Sequence, residues 1–157
     1  WVLPLKGGEN PFPFLNTSFA EVWGQFSPDG RWIAYQSNES GLWEIYVRPF
    51  PGPGGQWLIS TTGGVSPRWA SDGKEVYYID PTGRLMAVTI GVKDDALDVG
   101  KPVALFQTHI LGGGANMIGR NQQYDVAPNG RFLINVLNDE ALNSPLTILL
   151  NWNPPDR

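Results

Sequence analysis

The chain has 157 residues, of which 19 are glycine, 14 are proline and only 17% are charged, and this composition favours short strands and tight turns over helices. The formal net charge of −4 argues against nucleic-acid binding, which needs a basic face. The apolar runs fall far short of the roughly 20 residues that cross a bilayer, and the absence of cysteine excludes a disulfide or a thiolate-bound metal.

The first elements in chain order are two short segments rich in proline. Residues 1–5 have the pattern of the third strand of a four-stranded unit, and residues 11–15 have that of an outer strand. Proline lacks a backbone N–H group, so the prolines within both segments restrict them to sheet edges.

A repeated turn follows at three places. Residues 26–32, 69–75 and 126–132 each contain an Asp-Gly or Asn-Gly pair followed by a basic residue. This dipeptide tolerates the positive φ values of a tight hairpin. Each copy therefore predicts two antiparallel strands joined by a turn.

The spacing of these turns indicates a repeat architecture. Gly30, Gly73 and Gly130 are 43 and 57 residues apart, and the first spacing is typical of one blade of a β-propeller. The surplus in the second spacing is assigned to two turn-rich stretches, residues 91–100 and 111–120. Insertions in repeats usually lie in loops on one face.

Each turn is followed by a near-continuous apolar run, which is typical of a strand covered on both faces and here predicts a position between neighbouring blades. These runs are residues 32–35, 76–79 and 132–136. Third strands are predicted at residues 43–47, 85–89 and 146–150, and fourth strands at residues 56–60 and 102–106. The predicted fold is therefore all-β, a β-propeller fragment of about three four-stranded antiparallel blades. Its parts are an N-terminal partial blade 1–17, blades 18–61 and 62–108, and an incomplete blade 109–153.

A family resemblance is carried by the first repeat. Residues 27–35 (SPDGRWIAY), followed by residues 44–47 (EIYV), resemble the repeat of TolB-like, WD-like β-propellers. The wider pattern resembles the C-terminal propeller ends of bacterial serine/threonine kinases and related sensor proteins, and it covers residues 46–54, 67–69, 72–75, 85–88 and 149–152. The resemblance implies a bacterial module, periplasmic or cytoplasmic, that binds or senses a protein or peptide as part of a larger protein. The kinase motifs themselves are absent from the chain.

The first strand of each blade is the predicted place for a ligand, because in propellers this strand lines the central channel. Gln25, Arg68 and Asp125 each lie five residues before a turn glycine, and the residue after each one is apolar. This alternation in register is what strand geometry requires. The three polar residues are the candidate ligand-binding set. The alternative is that Arg68 and Asp125 are structural partners of neighbouring blades or turns.

Catalytic constellations are incomplete. A Ser-His-Asp triad or an imidazole metal site must use His109, the single histidine, yet no Gly-x-Ser-x-Gly elbow exists, so an ordinary surface or loop histidine is expected. Residues 114–121 have the glycine spacing of a phosphate loop but lack its Lys and Ser or Thr. The acidic pairs at 94–95 and 139–140 are expected to be solvated turn residues. No cofactor or metal is predicted, and the alternative function is a hydrolase or a peptidase-associated propeller.

Three blades do not close a ring, so two apolar blade faces are predicted to need a partner. One hypothesis is a homodimer with six blades, in which residues 11–15 of one chain complete the last blade of the other. The alternative is that further blades precede Trp1.

Overall fold

The computed structural model describes residues 1–5, 10–93, 96–110 and 122–136. Within these ranges all regular structure is β, in eleven strands whose neighbours pair antiparallel. The all-β, antiparallel prediction is confirmed. The same ranges contain no helix with the length and apolar character needed to cross a bilayer.

Sheet 1 contains four strands in sequence order, each paired with the next. They are β1 (Glu21–Phe26), β2 (Trp32–Ser37), β3 (Glu44–Pro49) and β4 (Trp57–Leu58). Every connection is short, so each strand pairs with its neighbour in the chain.

Sheet 2 repeats this order with a longer third strand. Its strands are β5 (Val65–Trp69), β6 (Glu75–Ile79), β7 (Arg84–Lys93), β8 (Ala96–Val99) and β9 (Val103–Gln107). The fourth-strand position is divided between β8 and β9, which both pair with the edge of β7 that faces away from β6.

The prediction of a turn-rich loop over residues 91–100 is wrong. β7 continues through Lys93, and the chain returns as β8, so most of this surplus forms an extended hairpin. The physical reason is the alternation of apolar residues, because Ile90 and Leu97 are buried in the core while their neighbours face outward. Residues 111–120 lie outside the described ranges.

The remaining pieces lie at the two ends of the described chain. The third hairpin contains β10 (Tyr124–Val126) and β11 (Phe132–Ile134), and the third strand predicted for this repeat, residues 146–150, lies outside the described residues. At the N-terminus neither predicted segment forms a strand. They meet in one isolated antiparallel bridge, in which Val2 and Phe12 exchange backbone hydrogen bonds of 2.8 and 3.1 Å.

The glycine of the repeated turn has the same geometry in all three copies, although the third hairpin closes one residue earlier: the Ala127 amide donates to Arg131, whereas the Ser27 amide donates to Trp32. The amide of Gly30, Gly73 or Gly130 donates to the carbonyl three residues earlier at 2.9 to 3.0 Å, and each of these glycines has φ between 71° and 75°. Only the glycine of the dipeptide has positive φ. The preceding acid or amide has a different role, because the Asp29 carboxylate accepts the backbone N–H of Arg31 at 3.1 Å, as in an Asx-turn.

The core is a stack of layers in chain order. One face of β2, with Trp32 and Ala34, packs with residues of sheet 2, and the other face, with Ile33 and Tyr35, packs against Phe14 and other aromatic and aliphatic side chains. β6 likewise packs one face on sheet 1 and the other on the third hairpin. The central apolar runs of sheets 1 and 2 are therefore covered on both faces, as predicted. Burying one large apolar side chain in this way contributes roughly 1.5–3 kcal/mol.

Candidate functional site

The first strands of the three units lie side by side. β1 contacts β5, and β5 contacts β10, so the strands that carry Gln25, Arg68 and Asp125 are neighbours in space. These strands are also joined by direct bonds between the sheets. The Nε1–H of Trp69 donates to the backbone carbonyl of Gln25 at 3.2 Å.

β1 and β5 share an irregularity that shapes this surface. The register of β1 shifts between Val22 and Gln25, and that of β5 shifts between Val65 and Arg68. Within the shifts Trp23 and Ser66, which are 43 residues apart, have φ values of 60° and 58°. A bulge of this kind turns the following side chains relative to the rest of the strand.

Ser66 is the point at which all three units are bonded together. Its backbone N–H donates to Oε1 of the buried Gln36 of sheet 1 at 2.8 Å. Its carbonyl accepts the Tyr124 hydroxyl of the third hairpin, also at 2.8 Å. These bonds satisfy a backbone that is held at positive φ and cannot follow the regular ladder. We call these two hydrogen bonds the Ser66 node. Sequence reasoning did not predict it, because a serine with positive φ leaves no signal in the sequence.

Tyr124 acts in this node as a neutral donor. Burial raises the pKa of its hydroxyl well above the ordinary value, against a smaller lowering by the positive charge of Arg68. The hydroxyl therefore keeps its proton, and its bond to Ser66, throughout the physiological pH range.

Arg68 and Asp125, both predicted from the sequence, form an ion pair. Nε of Arg68 lies 3.3 Å from Oδ1 of Asp125, and the two side chains are 15% and 72% exposed. The contact lacks the alignment of a hydrogen bond, since Nε and Nη1 of Arg68 are buried and have no acceptor among the described residues. The same Oδ1 accepts the backbone N–H of Val126 at 2.9 Å.

The predicted set is therefore brought together unevenly. Arg68 and Asp125 face each other across neighbouring strands, whereas Gln25 is linked to β5 through its backbone and its side chain makes no hydrogen bond within the described ranges. The ion pair also fits the alternative of structural partners between neighbouring units.

Two grooves lie at the turn end of the sheets. The larger, of about 620 Å³, lies between the first and second repeated turns, with Trp32 and Trp69 in its lining and the extension of β7 along one side. The smaller, of about 240 Å³, lies between the second and third turns. The extension of β7 therefore adds lining to the first groove, and sequence reasoning missed this because it assigned the stretch to a loop.

The residues considered for catalysis do not form a site in the described ranges. His109 is exposed in the segment after β9, with φ of 53°, and it makes no hydrogen bond or ion pair with another described residue. Residues 94–95, 114–121 and 139–140 lie outside the described ranges. Within those ranges no three His, Cys, Asp or Glu side chains are grouped so as to hold a metal ion.

Comparison with known proteins yields no assignment. No protein-family model matches the chain, and no curated protein matches it significantly. Functional inference for this chain therefore depends on its own residues.

Proposed function

We propose that the chain forms blades of a TolB-like β-propeller module that binds a protein or peptide and does not catalyse a reaction. Two antiparallel sheets of the same strand order, followed by a hairpin with the same turn, support a repeat architecture. Their stacking through covered faces, with first strands in contact, is the arrangement that blades need around a common axis. The fold supports only the architecture, so the function has to be argued from the site.

The observation that carries the binding proposal is the polar set on the first strands. Gln25, Arg68 and Asp125 each lie on a first strand five residues before a turn glycine, and the buried Nε and Nη1 of Arg68 have no acceptor among the described residues. A few polar groups placed within a largely apolar surface are typical of sites that orient a ligand. In a closed ring this surface faces the central channel.

The binding test uses peptides selected against this surface. Short random peptides are enriched on the immobilised chain, and the enriched peptides are titrated against two variants. Gln25→Trp places a bulky side chain on the surface and is expected to weaken binding by about tenfold or more, equal to roughly 1.4 kcal/mol. Lys101→Trp, at an exposed position before β9, is the matched control and should leave affinity unchanged. The proposal fails if no peptide is enriched, or if both variants bind the enriched peptides like the wild type.

Ring closure is the second part of the proposal. Exposed apolar side chains lie at both ends of the stack, with Trp1, Leu3 and Leu5 at one end and Leu133 and Val136 at the other. Apolar side chains exposed in this way favour association with further blades or with a second copy of the chain. A dimer of two such copies has six blades in all. Light scattering on the purified chain is expected to give the mass of a dimer. A stable, folded monomer at micromolar concentration overturns the homodimer and leaves further blades as the means of closure.

A further inference from the structure

Arg68 is a partly buried cation whose donors are poorly used by the described residues. A guanidinium is always charged and carries five N–H donors in a planar fork. The side chain of Arg68 is only 15% exposed, and its Nε and Nη1 have no hydrogen-bond acceptor among the described residues. A buried donor without an acceptor is destabilising, so such a group needs a reason to be retained.

Asp125 satisfies Arg68 incompletely. It lies 3.3 Å from Nε without the alignment of a hydrogen bond, while the oxygen concerned accepts the amide of Val126. The carboxylate is 72% exposed, so it lies at the solvent side of the pair. A well-formed Arg–carboxylate pair is instead bidentate, with two parallel bonds of about 2.8 Å. Within the part of the chain that the structure describes, the pair of Arg68 and Asp125 leaves this bidentate capacity unused.

Arg31 and Arg84 show what a satisfied arginine side chain looks like. Nε of Arg31 donates to Asp29 at 2.8 Å within its own turn, and Nε of Arg84 donates to Asp80 at 2.9 Å. Both of these are local pairs across a turn. Arg68 lies instead on a first strand, at the surface that the proposed function assigns to the ligand.

We propose that Arg68 binds a carboxylate of the peptide or protein ligand, either an acidic side chain or a terminal carboxylate, and that this group displaces Asp125. The inference rests on the proposed function, because it names the group that the first-strand surface recognises. A singly charged carboxylate fits better than a phosphate, since Asp125 remains close and repels a dianion more strongly. The displaced Asp125 moves into solvent, which its exposure allows.

The test observes the Arg68 guanidinium directly. The chain is labelled with ¹⁵N, and the Nε–H signals of Arg68 and Arg31 are followed by NMR during titration with acetate. Acetamide, which has the same shape without the charge, is the ligand control, and sodium chloride at equal ionic strength is the salt control. We expect a saturable shift of the Arg68 signal with acetate, a smaller one with inorganic phosphate, and none with acetamide. Arg31 should shift little, because its acceptor is already in place.

Two variants separate recognition from folding. Arg68→Lys keeps the charge but loses the planar fork, and we expect it to weaken acetate binding by about tenfold. Asp125→Asn removes the competing carboxylate, so we expect it to tighten binding severalfold. Thermal unfolding is measured for both variants. If Arg68→Lys does not fold, the wild-type titration and Asp125→Asn decide the outcome.

Several results overturn the proposal. A carboxylate site is excluded if the Arg68 signal shows no saturable shift with acetate. It is also excluded if the Arg31 signal shifts as much as that of Arg68, or if acetamide causes the same shift as acetate. Weaker binding by Asp125→Asn excludes displacement. Failure of the proposed function looks different, because acetate still binds Arg68 although no peptide is enriched. The opposite result is also possible to recognise. If the enriched peptides bind equally well after their C-termini are amidated and their acidic residues are replaced, the chain is a binding module but Arg68 does not bind a carboxylate of the ligand.

Discussion

The two faces of β2 are covered in different ways. On one face Trp32 and Ala34 belong to a cluster of buried side chains drawn from both complete sheets. On the other face Ile33 and Tyr35 pack mainly against partly buried side chains, including Phe14. The first interface also contains a buried bond from Ser66 to Gln36, whereas the second is covered by the partly buried side chains of the N-terminal Phe14 and Leu15 and of Phe50.

In this repeated architecture, specificity arises where two copies of the unit meet. Two copies of the same unit present matching strands, so apolar side chains interlock and a few buried polar bonds fix the register. A segment that is not a copy of the unit covers the opposite face with side chains alone. We therefore expect stability to be concentrated between sheets 1 and 2, so substitutions on the two faces of sheet 1 should differ in cost.

The largest expected effect comes from a cavity between the sheets. Ile45 is fully buried in the cluster shared by sheets 1 and 2, so Ile45→Ala should lower the free energy of unfolding by about 3 kcal/mol. Leu15→Ala, on the other face of sheet 1, should cost about 1 kcal/mol because Leu15 is only partly buried. Urea unfolding of both variants measures the difference. Equal losses contradict the proposed concentration of stability.

The next effect comes from the polar bond within the same interface. Gln36→Met keeps the volume but leaves the Ser66 amide buried without an acceptor, and we expect a loss of about 2 kcal/mol. Tyr35→Phe, on the opposite face of β2, removes a hydroxyl that donates to the exposed Gln56, and we expect a loss of about 0.5 kcal/mol. Thermal unfolding distinguishes these outcomes. A Gln36→Met variant as stable as Tyr35→Phe would show that the Ser66 node contributes little.

A smaller effect separates turn strain from packing. Gly30 has φ of 71° and no atom within 4 Å of the position of an added Cβ, so Gly30→Ala meets only the backbone penalty, about 1–2 kcal/mol. Gly30→Asn should cost less, since asparagine tolerates this conformation. Equal costs for both substitutions, measured by urea unfolding, would mean that the turn does not require positive φ.

The smallest effect is a dependence on acid that differs between the first and third turns. The Ser27 hydroxyl and the Arg31 guanidinium, both bonded to Asp29, hold the pKa of that carboxyl at about 2, below its usual value of 3.8. Because the folded-state pKa is lowered, the stabilisation is present above about pH 4 and is lost as the pH falls towards 2. Asp29 is exposed, so the contribution is below about 1 kcal/mol.

The matched variants exchange the two turn residues. Asp29→Asn should be slightly less stable than the wild type at pH 7, and the difference should vanish near pH 2. Asn129→Asp should add a weaker acid dependence to the third turn, because Ala127 offers no hydroxyl where the first turn has Ser27 and only the Arg131 guanidinium remains as a side-chain donor. Thermal unfolding between pH 2 and 7 measures both variants. A difference that is constant with pH would rule out the carboxylate as its cause.

Much of the fold was predictable because it follows from local chemistry. Three features depend only on residues close together in the chain: glycine at the turns, the apolar runs of β2 and β6, and the antiparallel order of neighbouring strands. The N-terminal segments were predicted as strands, and they form only one bridge. Their prolines lack the N–H groups that a longer ladder requires.

The candidate site was predictable only in part. Register along the repeated strand placed Gln25, Arg68 and Asp125 at equivalent positions, because strand alternation is a local property. The pattern did not predict that Asp125 approaches Arg68 without a hydrogen bond, because that distance depends on how two strands 57 residues apart lie beside each other.

The strand class, the repeated turn and the choice of buried faces follow from the sequence alone, since turn chemistry and apolar periodicity act over a few residues. Packing between the sheets, in contrast, places Ser66 at positive φ, makes β7 longer than its counterpart β3, and leaves Nε and Nη1 of Arg68 without an acceptor among the described residues. These features arise where separate sheets meet. Their energies depend on partners distant in the chain, such as Gln36 and Tyr124 around Ser66.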